Sequence, residues 1–531
     1  MSLKRMLEEV AGRYGGKTAI TCGDRRLSYT DLDEASNKLA NALIKLGVTK
    51  GDRVAMLLSN SPEFVVTYFG IVKIGAITVP LDINYKIDEL ASLFDDCRPK
   101  ILVTESPTLE PLIPVLSRFK SIKQVIDLGA EDGGHFLSYR GIMAVSSASK
   151  IESGPEPEDI AQIAYTSGPS FNPEGVMLPH HCLVTEAAIS GDGFQQGDKD
   201  IVLLYALPLY HAFGLVSGLL VSICKGSTVV IVPGTGLSIA SSMAAIEKEQ
   251  ATIFLGVPYI FALAVSMAGK EGMERDLTSL RLCASAGAPL PVDIIRQFKK
   301  HYGFYILDCW GLTEAICLVT CPPIDGSGEL GSVGKALPGW EVKIVDDAGR
   351  ELASNQAGEV IVRGLVMKGY YNNPQATARV LRDGWLYTGD IGKMDENGYL
   401  FITGRKKDII IVKGQNIRPS DIERVLQTHP KVAEAAVLGI PDELRGEMVG
   451  AVIKLKEGKM ATEQEIKRFC LERMVTYKVP KQVTFLDSLP RTAAGKIDRE
   501  GIRAFLSIPP LFPGETISSA EGIVPLKLSI E

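Results

Sequence analysis

The chain has 531 residues, of which 46% are apolar and 23% charged, with a formal net charge of −6. That is an ordinary globular make-up in a chain too long for one compact core. So small a charge removes any electrostatic reason to expect nucleic acid or an anionic membrane as partner. The nine cysteines contain no C-x-x-C pair and lie mostly in apolar runs. They read as buried reduced thiols, and grouping Cys309, Cys317 and Cys321 with His180–His181–Cys182 does not give the spacing of a structural zinc site.

The opening segment MSLKRMLEEVAGRYGG carries charges where a signal peptide needs an apolar core. From Ser28 an amphipathic helix is expected, capped at Ser28 or Thr30 and ending at Gly47. A buried strand DRVAMLLSN follows, then a helix from Ser61 and an apolar stretch to Pro80. Strand–helix alternation continues through VLLYALPL, STVVIVPG, TIFLGVP and RLCASAGAPL, which predicts α/β layers with largely parallel sheets. The longest strongly apolar run, Ala212 to Cys224, falls short of the ~20 residues of a membrane-spanning helix. From about 334 short strands and turns take over; Asp347–Gly349 and Glu396–Gly398 are expected as hairpin connections in a β-rich subdomain. After Arg405 the pattern predicts a small α+β domain, with a helix over Pro419–Thr428, strands AEAAVLGI and VGAVIKL, and a helix over Thr462–Arg473. The expected division is a large α/β domain over 1–404 (β-rich part 334–404), a small mobile α+β domain over 405–507, and a tail over 508–531.

Residues Tyr165 to Val176 read YTSGPSFNPEGV. The segment resembles the signature loop of AMP-forming acyl- and aryl-CoA ligases, amino-acid adenylation domains and luciferases, written Thr-Ser-Gly-Thr-Thr-Gly-x-Pro-Lys-Gly. Thr166, Ser167, Gly168, Pro173 and Gly175 match; Pro169, Ser170, Phe171 and Glu174 depart. Backbone N–H groups of such a turn can cradle phosphate oxygens; without the resemblance the same residues read as a plain strand-to-helix turn. Four more segments are similar to the family's motifs and follow in the family's order, with ASAGAPL as a partner segment to the first of these. In DCWGLTEA the resemblance implies Trp310 and Gly311 against adenine, Thr313 at the α-phosphate and Glu314 as ligand of Mg²⁺, a hard cation suited to carboxylate oxygen. ASAGAPL would line adenine with Gly287 and Ala288. In WLYTGD, Asp390 would accept the ribose hydroxyls, a task for an acceptor-only carboxylate. In GRKKDIIIVKGQNIRPSDIE, Arg405 would touch ribose, Lys407 would be the hinge, and Gly414 and Gln415 would edge a CoA tunnel. In PRTAAGKIDR, Lys496 would swing in to neutralise charge as the adenylate forms.

The resemblance implies an enzyme that activates a fatty or aryl acid with ATP and passes the acyl group to CoA. His211 would sit near the substrate carboxylate, with Gly256 and Tyr259 along an apolar pocket. No carboxylate lies near Tyr210–Phe213 to pair a substrate ammonium, so an amino acid is not expected. A luciferase-like monooxygenase and a nucleotide- or acyl-CoA-binding protein without adenylation are the alternatives. Glu174 stands where the family has a lysine, so slow adenylation is expected, relieved by Glu174→Lys with Phe171→Gly, unless another cation takes the lysine's place. A cytoplasmic monomer or homodimer is expected; the chain ends Leu-Ser-Ile-Glu rather than in a peroxisomal Ser-Lys-Leu.

Overall fold

The first long helix, Tyr29–Lys45, begins where the sequence supplies a cap. Ser28 accepts from the Asp31 N–H while the Asp31 carboxylate accepts from the Ser28 N–H, satisfying orphan donors at both ends of the turn. Its apolar stripe, including Leu39 and Leu43, packs on the helix Pro62–Lys73, itself capped by Ser61. The structure, a computed structural model, describes residues 1–165, 174–204, 207–232, 238–269, 275–405, 409–442, 444–490, 497–503 and 506.

Two large sheets carry the N-terminal part. The first runs in the order Gly369–Tyr370, Gly175–Pro179, Ile160–Tyr165, Ile77–Pro80, Arg53–Leu57, Ile101–Thr104, Gln124–Asp127 and Leu137–Ser138. The second runs Ile306–Asp308, Leu282–Ser285, Ile253–Gly256, Ile201–Leu204, Thr228–Ile231, Thr18–Cys22 and Arg25–Ser28. Both are parallel apart from the outermost one or two strands at one end, and their β-branched interiors are buried on both faces. One apolar cluster, with Phe64, Phe69, Leu204, Leu215 and Leu219 at 0–1% exposure, fills the space between the sheets. The apolar run expected to be too short for a membrane is a buried π-helix, Phe213–Leu220, continuing as Val221–Lys225. Among the described residues no helix is long and apolar enough to cross a membrane.

A third, antiparallel sheet joins Glu341–Val345, Gly358–Arg363, Leu381–Arg382, Trp385–Met394 and Leu400–Arg405. The hairpin expected at Asp347–Gly349 is reduced to a single Val345–Glu351 bridge, whereas the turn at Glu396–Gly398 does join paired strands. The small α+β domain is built on Gln415–Ile417, Ile410–Val412, Gly446–Leu455, Val432–Asp442 and Gln482–Phe485. The helices Pro419–Gln427 and Glu463–Leu471 cover one face with Ile422, Leu426, Ile466 and Cys470, and Leu438, Ile440, Leu489 and Ile502 pack on the other. The fold is the expected α/β arrangement: a large N-terminal domain of layered sheets with a β-rich part, followed by a small α+β domain. The proposed tail over 508–531 lies outside the described residues.

Candidate functional site

Among the described candidate residues, Gly256, Gly287 and Trp310 lie at or just beyond the carboxyl ends of parallel strands, where a doubly wound sheet leaves its crevice. Strand Ile306–Asp308 runs into Trp310, and Trp385–Met394 carries Asp390 beside Arg405 at the end of its partner strand. The indole Nε1 of Trp310 donates to Asp390 Oδ2 at 2.9 Å, and Arg405 Nε lies 2.6 Å from Asp390 Oδ1. Asp390 is 1% exposed. Burial raises its pKa, and Arg405 and the Trp310 hydrogen bond pull it back. Each of its oxygens keeps a further acceptor site, so the trio can still receive two hydroxyls.

Next to it, Thr313–Ala315 forms a single 3₁₀ turn. Backbone contact forces its entry: a Cβ on Gly311 would come within 1.8 Å of the Cys317 carbonyl oxygen. Its exit is strained, because Ile316, β-branched, sits at φ +65. The Glu314 carbonyl accepts from the Met367 N–H at 2.8 Å, and its Oε1 accepts from the Tyr370 hydroxyl at 2.9 Å. Desolvation raises the pKa of Glu314; Tyr370 and Arg405 oppose this and Glu174 adds to it. Below the turn, Glu186 accepts from the Leu318 N–H at 3.1 Å and from the Ser190 hydroxyl. It is wholly buried, which pushes its carboxyl up to about 8.

Gly175 is fixed by packing, since a Cβ there would lie 2.6 Å from Ile163. The segment before it joins Ile160–Tyr165 to the antiparallel Gly175–Pro179, so it is a strand-to-strand connection and not a turn into a helix. Glu174 does not face the site uncompensated: Arg418 Nη2 pairs with its Oε2. His211 Nδ1 accepts from the Phe213 N–H at 3.3 Å, leaving the ring proton on Nε2. Desolvation pushes its pKa down to about 4, so the ring is neutral. Gly256 ends a buried strand, and Tyr259 opens the following helix with Lys413 Nζ 4.6 Å from its ring centre. Gly414, at φ +81, packs against Val257, and a Cβ on Gly287 would lie 3.9 Å from its carbonyl oxygen. The Lys413–Gly414 turn therefore lies beside Gly287.

Thr166, Ser167, Gly168, Phe171, Lys407 and Lys496 lie outside the described residues. Sequence reasoning missed Tyr370, Glu186 and the Arg418 partner of Glu174. Only the last left a signal, a carboxylate in a lysine's place that calls for a cation elsewhere.

The AMP-binding enzyme model matches residues 7–371, and the AMP-binding enzyme C-terminal domain model matches residues 421–496. A long-chain-fatty-acid–CoA ligase of Bacillus subtilis is 34% identical over 94% of this chain and 93% of its own. An indoleacetate–CoA ligase of Aromatoleum aromaticum is 35% identical over 96% and 98%. The solved structure of a double mutant of o-succinylbenzoate CoA synthetase from Bacillus subtilis, bound to a CoA product analogue, superposes with a TM-score of 0.83. It is 28% identical and covers 94% of this chain and 98% of that one.

Proposed function

Because the chain belongs to the AMP-binding enzyme family, we propose that it is an acyl-CoA ligase for an apolar fatty or aryl acid. In the first step a carboxylate oxygen attacks the α-phosphorus of ATP and pyrophosphate leaves. In the second the CoA sulfur attacks the acyl carbonyl and AMP leaves. The observation that carries this reading is the convergence of Trp310, Asp390 and Arg405 with Glu314 and Tyr370 at one strand-end crevice.

In this reading Asp390 and Arg405 hold ribose, Trp310 with Gly311, Gly287 and Ala288 borders adenine, and Thr313 contacts the α-phosphate. Glu314 would hold Mg²⁺, which would supply charge neutralisation at the phosphates; a carboxylate whose ionisation is disfavoured by burial is stabilised by a hard cation. Neutral His211 offers an Nε2–H to the acid's carboxylate, and Gly256 and Tyr259 border the tail. Gly414 and Gln415 border CoA, consistent with the buried Oδ1 of the adjacent Asn416, which has no hydrogen-bond partner among the described residues. Lys407 is assigned as hinge, and Thr166, Ser167, Gly168 and Gly175 as the phosphate loop. Lys496 is assigned to neutralise charge in the first step. We place the protein in the cytoplasm.

The test is CoA-dependent AMP release across unsubstituted fatty, aromatic and amino acids. Turnover with the first two classes and none with the third is expected; amino-acid-dependent pyrophosphate exchange would overturn the substrate assignment. Lys496→Ala is expected to lose adenylate formation by orders of magnitude while transfer from a supplied acyl-adenylate persists. The loop departures favour one second reading, a binding protein without adenylation, and absence of any acid-dependent ATP–pyrophosphate exchange would establish it.

A further inference from the structure

Glu174 immediately precedes the strand Gly175–Pro179. Its partner Arg418 is 244 residues further on, at the N-cap of the helix Pro419–Gln427, directly after the strand Gln415–Ile417. The pair therefore joins the large domain to the small one beside the 410–417 hairpin. A second ion pair joins the same two bodies: Lys478 Nζ to Glu89 Oε1 at 3.0 Å, with side chains 3% and 8% exposed. With both pairs made, Gly414 packs against Val257 and the hairpin tip meets Gly287. The solved structure that superposes over both domains holds a CoA product analogue. A lysine at position 174 would set like charges against Arg418 and oppose this docking.

We propose that Glu174 and Arg418 are a positioning pair for the thioester-forming step, holding the small domain where its 410–417 hairpin faces the acyl-adenylate. The inference rests on the ligase reading above. Neither residue need touch the reacting atoms. Their effect is on orientation, through charge complementarity between two side chains that are both about three-quarters buried.

The experiment supplies decanoyl-adenylate or benzoyl-adenylate with CoA, measures single-turnover thioester formation, and follows hydrogen exchange of residues 410–417. Glu174→Lys and Arg418→Glu are each expected to slow transfer by about tenfold or more and to speed exchange in the hairpin. Acid-dependent ATP–pyrophosphate exchange should not fall in Glu174→Lys. The double variant Glu174→Arg with Arg418→Glu should restore both transfer and hairpin protection, whereas a pair that only stabilised the fold would lower pyrophosphate exchange together with transfer. Wild-type transfer and protection in both single variants would overturn the proposal, as would failure of the exchanged pair to restore either readout. If the wild-type protein transfers from neither adenylate, the ligase reading fails, while hairpin exchange still reports whether the pair docks the domain.

Discussion

Asp390 serves two partners at once, so its replacement separates charge from shape. Asp390→Asn keeps an acceptor for Trp310 but leaves Arg405 without its counter-charge. Losing a charge-assisted hydrogen bond costs ~1.5–3 kcal/mol, so ATP-dependent AMP release is expected to fall by roughly tenfold to a hundredfold. The loss should appear mainly in the KM for ATP. Glu186 behaves oppositely, because its carboxyl pays for burial only when ionised. Its folded pKa, about 8, lies above that of an unfolded glutamate. Between those two values the folded protein keeps a proton that the unfolded chain has released. Stability from this group is therefore present at low pH and is lost as pH rises through about 8. Glu186→Gln preserves the acceptor for the Leu318 N–H and removes the titration. Denaturant melts should show the variant more stable than wild type above pH 8 by on the order of a few kcal/mol, with the difference vanishing at acidic pH.

At the scale of elements, the 3₁₀ turn and the 410–417 hairpin are held by glycines whose neighbours leave no room. Gly311→Ala meets a backbone carbonyl that cannot move aside; a loss of ~1–3 kcal/mol or more and of adenylation is expected, read by thermal melting and pyrophosphate exchange. Gly414→Ala meets the β-branched Val257 side chain at 2.8 Å and also φ +81. Val257→Ala should relieve the contact but not the ~1–2 kcal/mol conformational cost, so thioester formation recovers only in part. These elements were largely legible in the sequence. Caps at Ser28, Ser61 and Thr462 open helices where side chain and backbone are close in the chain, and each site motif is a contiguous stretch. Pairings made only in space were not: Tyr370 with Glu314 and Arg418 with Glu174 join segments dozens to hundreds of residues apart. Nor was the single bridge at Val345–Glu351, because turn residues specify a reversal but not how many rungs follow it.

Across the whole molecule, the buried Lys478–Glu89 pair ties the two domains with charges that water cannot screen. Lys478→Ala leaves Glu89, whose ionisation burial already opposes, without a counter-ion. Breaking a buried pair costs ~3–5 kcal/mol, so protease cleavage between the domains is expected to accelerate; Glu89→Gln with Lys478→Met should slow it again. The topology also sets a timetable for synthesis. Ile20 pairs with Val229, so an early strand has no neighbour on that side until roughly two hundred more residues exist. At about 5–20 residues per second on the ribosome, that wait is about 10–40 s. Throughout it, the hairpin Thr18–Cys22/Arg25–Ser28 offers an open edge to any nascent chain nearby. Chaperone capture is expected to peak on translation intermediates shorter than Thr228–Ile231 and to fall once that strand emerges.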